Sequence, residues 1–182
     1  MTDADFRFSQ AIVLRDGTPA TIRLMRPQDK DGLIVAFEKL DRQTVYTRFF
    51  SYLKALPEGP LDRIDRIDLV RLAALVVTVG AGADEVIIGS ASYVAQTAAD
   101  GVRSAEVAFT IEEDYQRQGL AGRLLAALTD IARRHGIARF EAEVLGMNAP
   151  MLAVFRRGGW PMAQRREGGV IHLAVDLAPA QG

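Results

Sequence analysis

Between Glu106 and Val144 the spacing of apolar residues passes from that of a strand to that of a helix and back. Glu106–Ile111 reads as a strand. Leu124, Leu128 and Ile131 then recur on one face of a helix from Leu120 to His135, and Gly136 stands where a helix C-cap usually does. Phe140, Ala142 and Val144 alternate with Arg139, Glu141 and Glu143, the period of a second strand. A helix with one apolar stripe must bury it, and the strands on either side offer a sheet to bury it against. A strand–helix–strand unit in mid-chain restricts the class to α/β or α+β built on one mixed sheet.

The rest of the chain agrees. Ala11–Leu14 and Ala20–Met25 read as a hairpin joined by Arg15-Asp16-Gly17-Thr18, and Pro27 ends its second strand. Leu33, Phe37 and Leu40 mark a helix over about 29–40, and a short helix is expected over Thr44–Phe50. Leu72–Val79 and Val86–Val94 read as buried strands turned by Gly80–Asp84. A helix at about Ala149–Arg157 ends at Gly158-Gly159, and Gly169–Leu177 is a last alternating strand. With no long linker or strong repeat, 1–182 is expected to form a single domain, with 1–10 and 178–182 as flexible tails.

Composition narrows the chemistry. A chain of 182 residues needs no covalent staple, because it can bury about 70% of its unfolded surface. The absence of Cys excludes disulfides, thiol nucleophiles and Cys-based zinc sites, and with only His135 and His172 no metal is expected. A net charge of −1 argues against capture of nucleic acid or an anionic membrane. The acidic start Met1-Thr2-Asp3-Ala4-Asp5 is unlike a signal peptide, and the longest apolar stretch, Leu72–Val79, falls short of the ~20 residues that span a bilayer. The expectation is a soluble, cytoplasmic protein.

The informative stretch is Tyr115-Gln116-Arg117-Gln118-Gly119-Leu120-Ala121-Gly122-Arg123, which joins strand to helix. Small residues at Gly119, Ala121 and Gly122 let a ligand approach helix N–H groups that lack helical partners. Those amides and the positive helix end favour a phosphate or pyrophosphate, and Arg117 and Arg123 add charge. The same residues also suit a tight turn that merely packs. A Walker A loop is absent, and a dinucleotide fingerprint would put Leu124 at a position that needs a small residue.

Gln116-x-x-Gly119-x-Ala121 resembles the Gln/Arg-x-x-Gly-x-Gly/Ala signature of the Gcn5-related N-acetyltransferases (GNAT). Ala105–Ile111 resembles that family's fourth strand, and Asn148–Trp160 its Asn-x-x-x-x-x-x-Tyr-x-x-x-Gly-Phe stretch. Within the family, Ile22–Asp29, Tyr46-x-Arg48-Phe49-Phe50 and Glu143–Leu152 look most like the catalytic domain of Pat-type protein lysine acetyltransferases. Those enzymes usually carry a regulatory domain, for which this chain is expected to have no room. The resemblance implies a central mixed, mostly antiparallel sheet flanked by helices. It also implies acetyl transfer from acetyl-CoA to a primary amine within a ternary complex. The expected acceptor is a protein lysine of the acyl-CoA synthetase type. A small-molecule amine, or a non-catalytic acyl-CoA-binding sensor, is the alternative; a homodimer remains open.

By the same resemblance, Glu106 at the start of the strand is the candidate general base, with Glu143 second. Its bland alternative is an exposed carboxylate paired with Arg103. Gln116, Arg117, Gln118, Gly119, Ala121 and Gly122 would hold the pyrophosphate of the cofactor. Main-chain groups of Phe109 and Ile111 would pair with its pantetheine arm as an added strand does. Asn148 is a natural helix N-cap that would also touch the cofactor. Phe155 stands where many relatives have a Tyr acid and has no proton to give; Tyr46 and Tyr93 are the weak substitutes.

Overall fold

The structure, a computed structural model, describes residues 7–51 and 53–177. Eight strands form one sheet in the order β1-β2-β3-β4-β5-β6-β8-β7. They are β1 (Ser9–Val13), β2 (Pro19–Leu24), β3 (Leu72–Val79), β4 (Val86–Thr97), β5 (Arg103–Ile111), β6 (Arg139–Leu145), β7 (Met162–Glu167) and β8 (Val170–Asp176). Neighbours run antiparallel except β5 and β6, which are parallel because a whole helix returns the chain between them. Five helices flank the sheet: α1 (Lys30–Glu38), α2 (Arg42–Phe49), α3 (Glu58–Asp62), α4 (Leu120–Arg134) and α5 (Ala149–Arg157). This is the mixed, mostly antiparallel sheet with flanking helices that the resemblance implied. None of the described helices is long and apolar enough to cross a membrane.

The main core lies between α4 and one sheet face. Leu124, Leu128 and Ile131 are closed off there among Leu75, Tyr93 and Phe140. Each such aliphatic side chain contributes about 1.5–3 kcal/mol by leaving water. A smaller cluster, with Phe37, Val45, Ile64, Ala74 and Val76, sits on the opposite face under α1 and α2.

Several details depart from the sequence reading. Of the expected tails, 1–6 and 178–182 lie outside the described residues, whereas Ser9 and Gln10 pair with Arg23 and Ile22 in the sheet. The helix expected over Thr44–Phe50 begins at Arg42, because the Asp41 carboxylate accepts the Thr44 N–H at 2.6 Å as an N-cap. The edge strand β7, with only Met162 less than fully exposed, carries no apolar alternation that would mark it. A charged, exposed edge strand also discourages pairing with another sheet.

Arg23, which alternation assigns to a polar face, is 5% exposed. Its guanidinium meets both oxygens of Asp29 (8% exposed) at 2.8 Å, and its Nη2 also meets Glu85. The Arg26 N–H adds a bond of 2.7 Å to Asp29. This knot ties β2 to the start of α1 and to the β3–β4 turn. Burial pushes the Asp29 carboxyl up, but its bonds to Arg23 and Arg26 outweigh that and hold it below the usual carboxylate range.

A second carboxylate organises the entry to β3. Asp68 accepts the N–H groups of Val70, Arg71 and Leu72 at 3.1, 2.7 and 3.2 Å, and the Arg71 Nε at 2.8 Å. Burial raises its pKa, but the Arg71 N–H and guanidinium, then Leu72 and Val70, outweigh it and hold the carboxyl at about 2. In the unfolded chain an Asp titrates near ~3.9. A depressed folded pKa contributes stability above the unfolded value, and that contribution is lost as pH falls through the folded one. Comparing urea melts of wild type and Asp68→Asn should show a gap on the order of 1–2 kcal/mol near neutrality, allowing for partial solvent exposure. The gap should close between roughly pH 4 and 2; a gap independent of pH would contradict this account.

Candidate active site

β5 and β6 pair only over Ser104–Arg139, Ala105–Phe140 and Glu106–Glu141. Beyond that point β5 stays with β4 to Ile111 and β6 stays with β8 to Leu145, so the two strands diverge. The Glu112 N–H donates to Ile88 O on the β4 side, while Arg103 O accepts the Ala138 N–H on the β6 side. Alternation along the strand therefore turns the main-chain groups of Val107, Phe109 and Ile111 into the gap. Gln116 Nε2 donates to Ile111 O at 3.1 Å and to Thr44 Oγ1 at 3.2 Å, linking the next loop to both β5 and α2.

That loop winds into α4 through two left-handed residues, Arg117 (φ 61) and Gly119 (φ 82). Gly119 is the N-cap and has no side chain to cap with, so the first amides of α4 have no capping acceptor. Half-buried Ala121 and exposed Gly122 follow, and a Cβ at Gly122 would meet nothing within 4 Å. The site has a cationic residue that reading the sequence missed. Arg15, in the β1–β2 turn, donates from Nη1 to Arg117 O at 2.9 Å, and its Nε would lie 3.9 Å from a Cβ on Gly119. Gln118 braces the same turn, accepting the Asp16 N–H at 3.3 Å, and Arg123 reaches Val13 O at 3.3 Å. Arg15, Arg117 and Arg123 thus gather at one turn. A separation of 102 residues hides the first of these contacts from any local pattern.

Glu106 is exposed at the last paired position of β5, where the gap opens. It borders a groove of about 460 Å³ shared with Gln96, Glu141, Glu143, Arg165 and His172. Its neighbours are engaged: Glu141 accepts from Gln96 Nε2 at 3.0 Å, and Glu143 lies 3.2 Å from His172 Nδ1. Arg103, the bland partner expected for Glu106, donates instead to Val70 O at 2.7 Å. No hydrogen bond reaches the Glu106 carboxylate among the described residues.

Asn148 caps α5, its Oδ1 accepting the Met151 N–H at 3.2 Å. Phe155 is 1% exposed and stands edge-on to Phe109, ring centres 6.0 Å apart, so it helps form the floor behind the gap. Tyr93 is fully buried in the main core and donates to Leu69 O; burial pushes its phenol up, so it offers no acid to the groove. His135 is the C-cap of α4, and His172 pairs with Glu143.

Comparison with known proteins agrees with this geometry. The model of the Acetyltransferase (GNAT) family matches residues 42–160. Acetyltransferase Pat from Mycolicibacterium smegmatis is 30% identical over 92% of this chain, which spans 49% of that protein's length. The crystal structure of the GNAT domain of S. lividans PAT superposes with a TM-score of 0.82 at 30% identity, covering 97% of this chain and 99% of that one. The structure of yncA from Salmonella typhimurium with its cofactor acetyl-CoA shares the fold at a TM-score of 0.71 and 18% identity, over 90% and 96% of the two chains. The family match spans β5, the Gly119 turn, α4, β6 and α5 together: the chain belongs to the GNAT acetyltransferase family.

Proposed function

We propose that this chain transfers an acetyl group from acetyl-CoA to a primary amine, with Glu106 as general base. The observation that carries the reading is the unpaired edge of β5, whose main-chain groups lead from Glu106 to the phosphate-favouring turn at Gly119. The residues present fit the donor. Val107, Phe109 and the Ile111 N–H offer a strand edge for the amide-bearing pantetheine arm, the Ile111 carbonyl being held by Gln116. The free amides at Gly119, Leu120 and Ala121, with Arg15, Arg117 and Arg123, suit a pyrophosphate. The donor supplies an activated acyl thioester.

Glu106 accepts the proton of the incoming ammonium, directly or through one water, so that a neutral nitrogen attacks the thioester carbonyl carbon. The new C–N bond forms as the C–S bond breaks, and the nitrogen gives up its second proton to solvent to become the neutral amide. The thiolate then leaves, protonated by solvent, since Phe155 has no proton to give and Tyr93 is closed in the core. An amide on the exposed β5 edge polarises the carbonyl oxygen. Direct transfer suits a chain with no Cys to carry an acyl group. A protein lysine on an acyl-CoA synthetase is the preferred acceptor, supported by the likeness to the M. smegmatis and S. lividans Pat proteins. A small amine would use the same machinery.

The test is CoA-thiol release from acetyl-CoA with polyamines, amino acids and a purified acyl-CoA synthetase offered separately. Release on the synthetase alone supports the protein-lysine acceptor, and release on a small amine replaces it. Release on none, with acetyl-CoA bound tightly, would favour a binding module. Gly119→Ala probes the donor site. It puts a Cβ on a residue at φ 82, a strain of about 1–2 kcal/mol. The KM for acetyl-CoA should rise at least tenfold while the acceptor KM stays within about twofold; equal changes in both would contradict the assignment.

A further inference from the structure

On the sheet face that carries Glu106, a second and more enclosed cavity of about 120 Å³ lies under α1, α2 and α3. Leu33, Phe49 and Ile64 give it apolar walls, and Ser90, Ser92 and Thr110 present hydroxyls from β4 and β5. Two arginines, Arg48 from α2 and Arg63 after α3, also line it. Arg48 is half-buried, with its guanidinium 4.6 Å from the centre of the Phe49 ring.

Arg48 differs from the other partly or wholly buried arginines in having no hydrogen-bond acceptor among the described residues. Arg23 is answered by Asp29 and Glu85, and Arg103 by Val70 O. A guanidinium has five N–H donors, and in a half-buried position without a protein acceptor they are left to the little solvent that reaches them. Burial lowers the pKa of Arg48; the Glu106 charge opposes that shift, and the Arg63 charge adds to it. The groups that act on Arg48 are therefore one carboxylate, already committed to the acceptor amine, and one further cation. The cavity holds more positive charge than it neutralises.

We infer that this cavity binds a carboxylate of the acceptor, with Arg48 as its principal partner. The inference rests on the acetyl-transfer reading, because it places the acceptor's amine at Glu106 and its carboxylate at Arg48. A bare alkylammonium entering beside Arg48 meets repulsion. An amine that also carries a carboxylate cancels that repulsion and supplies the missing acceptor, in a partly enclosed site where a guanidinium fork matches a carboxylate's two oxygens. The carboxylate comes either from a small amino acid or from an acidic side chain next to the target lysine.

The experiment compares matched acceptors in CoA-thiol release. Nα-acetyl-lysine is set against its carboxamide, and an end-blocked lysine peptide with a neighbouring Glu against the same peptide with Gln. At least one pair should show a KM tenfold or more lower for the carboxylate form, and the pair that does identifies the source. Arg48→Gln should bring the two KM values of that pair within about twofold, and Arg48→Lys should leave a reduced preference. No preference in wild type, or one that survives Arg48→Gln, would overturn the inference. If no acceptor releases thiol, the acetyl-transfer reading fails, and calorimetry of the same probes on CoA-loaded protein decides the inference by itself. Tenfold tighter binding of a carboxylate form, lost in Arg48→Gln, would sustain it, and equal affinities would end it. Should Arg48→Gln not fold, Arg48→Lys carries both tests with a severalfold loss of preference.

Discussion

Replacing Glu106 by Gln is expected to lower kcat for acetyl transfer by roughly 10²–10⁴-fold, the range for loss of a positioned base. A lysine amine titrates near ~10.4, so at neutral pH almost all of the acceptor arrives protonated and unable to attack. Gln keeps the size and shape of the side chain but cannot take the proton. Binding of acetyl-CoA should be unchanged, because Glu106 ends the paired stretch and the donor contacts lie beyond it. The residual rate of the variant should climb with pH as free amine accumulates. Glu143→Gln is the internal control: Glu143 is already occupied by His172 at 3.2 Å, and its loss should cost no more than about threefold in kcat. A Glu106→Gln enzyme of normal kcat would remove the base assignment.

Asp29→Ala should be the most damaging substitution for stability among the charged residues described above. It leaves the Arg23 guanidinium, 5% exposed, with the partly exposed Glu85 as its one remaining carboxylate among the described residues and the Leu24 carbonyl as a neutral acceptor. Removing one partner of a buried ion pair typically costs about 3–5 kcal/mol. For a domain of this size each kcal/mol lowers Tm by about 2–4 °C, so the drop should fall between about 6 and 20 °C. Removing both charges with shape-matched apolar residues, as in Arg23→Met with Asp29→Leu, should recover most of the loss, because much of the penalty is an orphaned charge rather than a lost attraction. Thermal denaturation followed by circular dichroism compares the three proteins. A double variant no more stable than Asp29→Ala would show that the knot contributes through geometry, by holding β2 against the β3–β4 turn.

How far the sequence carries depends on whether the signal is local. The α4 stripe, the β3 and β4 runs and the β6 alternation are each written in consecutive residues, and each element stands where its spacing puts it. So is the small-residue turn at Gly119. The edge strand β7 escapes notice because both its faces meet solvent, leaving no reason for apolar alternation. Arg23 misleads for the opposite reason: its strand position is polar by pattern, yet Asp29 and Glu85 arrive from other parts of the chain to make burial tolerable. Arg15 and Arg48 belong with it. A basic residue in a turn or on a short helix says nothing locally about which carbonyl, ring or cavity the fold will bring to it. The gap between β5 and β6 is likewise invisible in sequence, since both segments read as ordinary strands and only their shared register shows where pairing stops.

That gap has a mechanical side. Five strands, β1 to β5, and three strands, β6, β8 and β7, are each continuously paired, but the two blocks join through three residue pairs of a parallel ladder. Across this short seam the backbone ladder is thin, and the blocks are held together mainly by side chains of the shared core, such as Tyr93 against Phe140. A molecule lying along the β5 edge would extend the seam by the length it covers and stiffen the joint. Amide hydrogen exchange should then slow on occupancy in the β6 and β8 ladder as well as in β5, so that a ligand on one strand is felt as rigidity across the C-terminal third of the sheet.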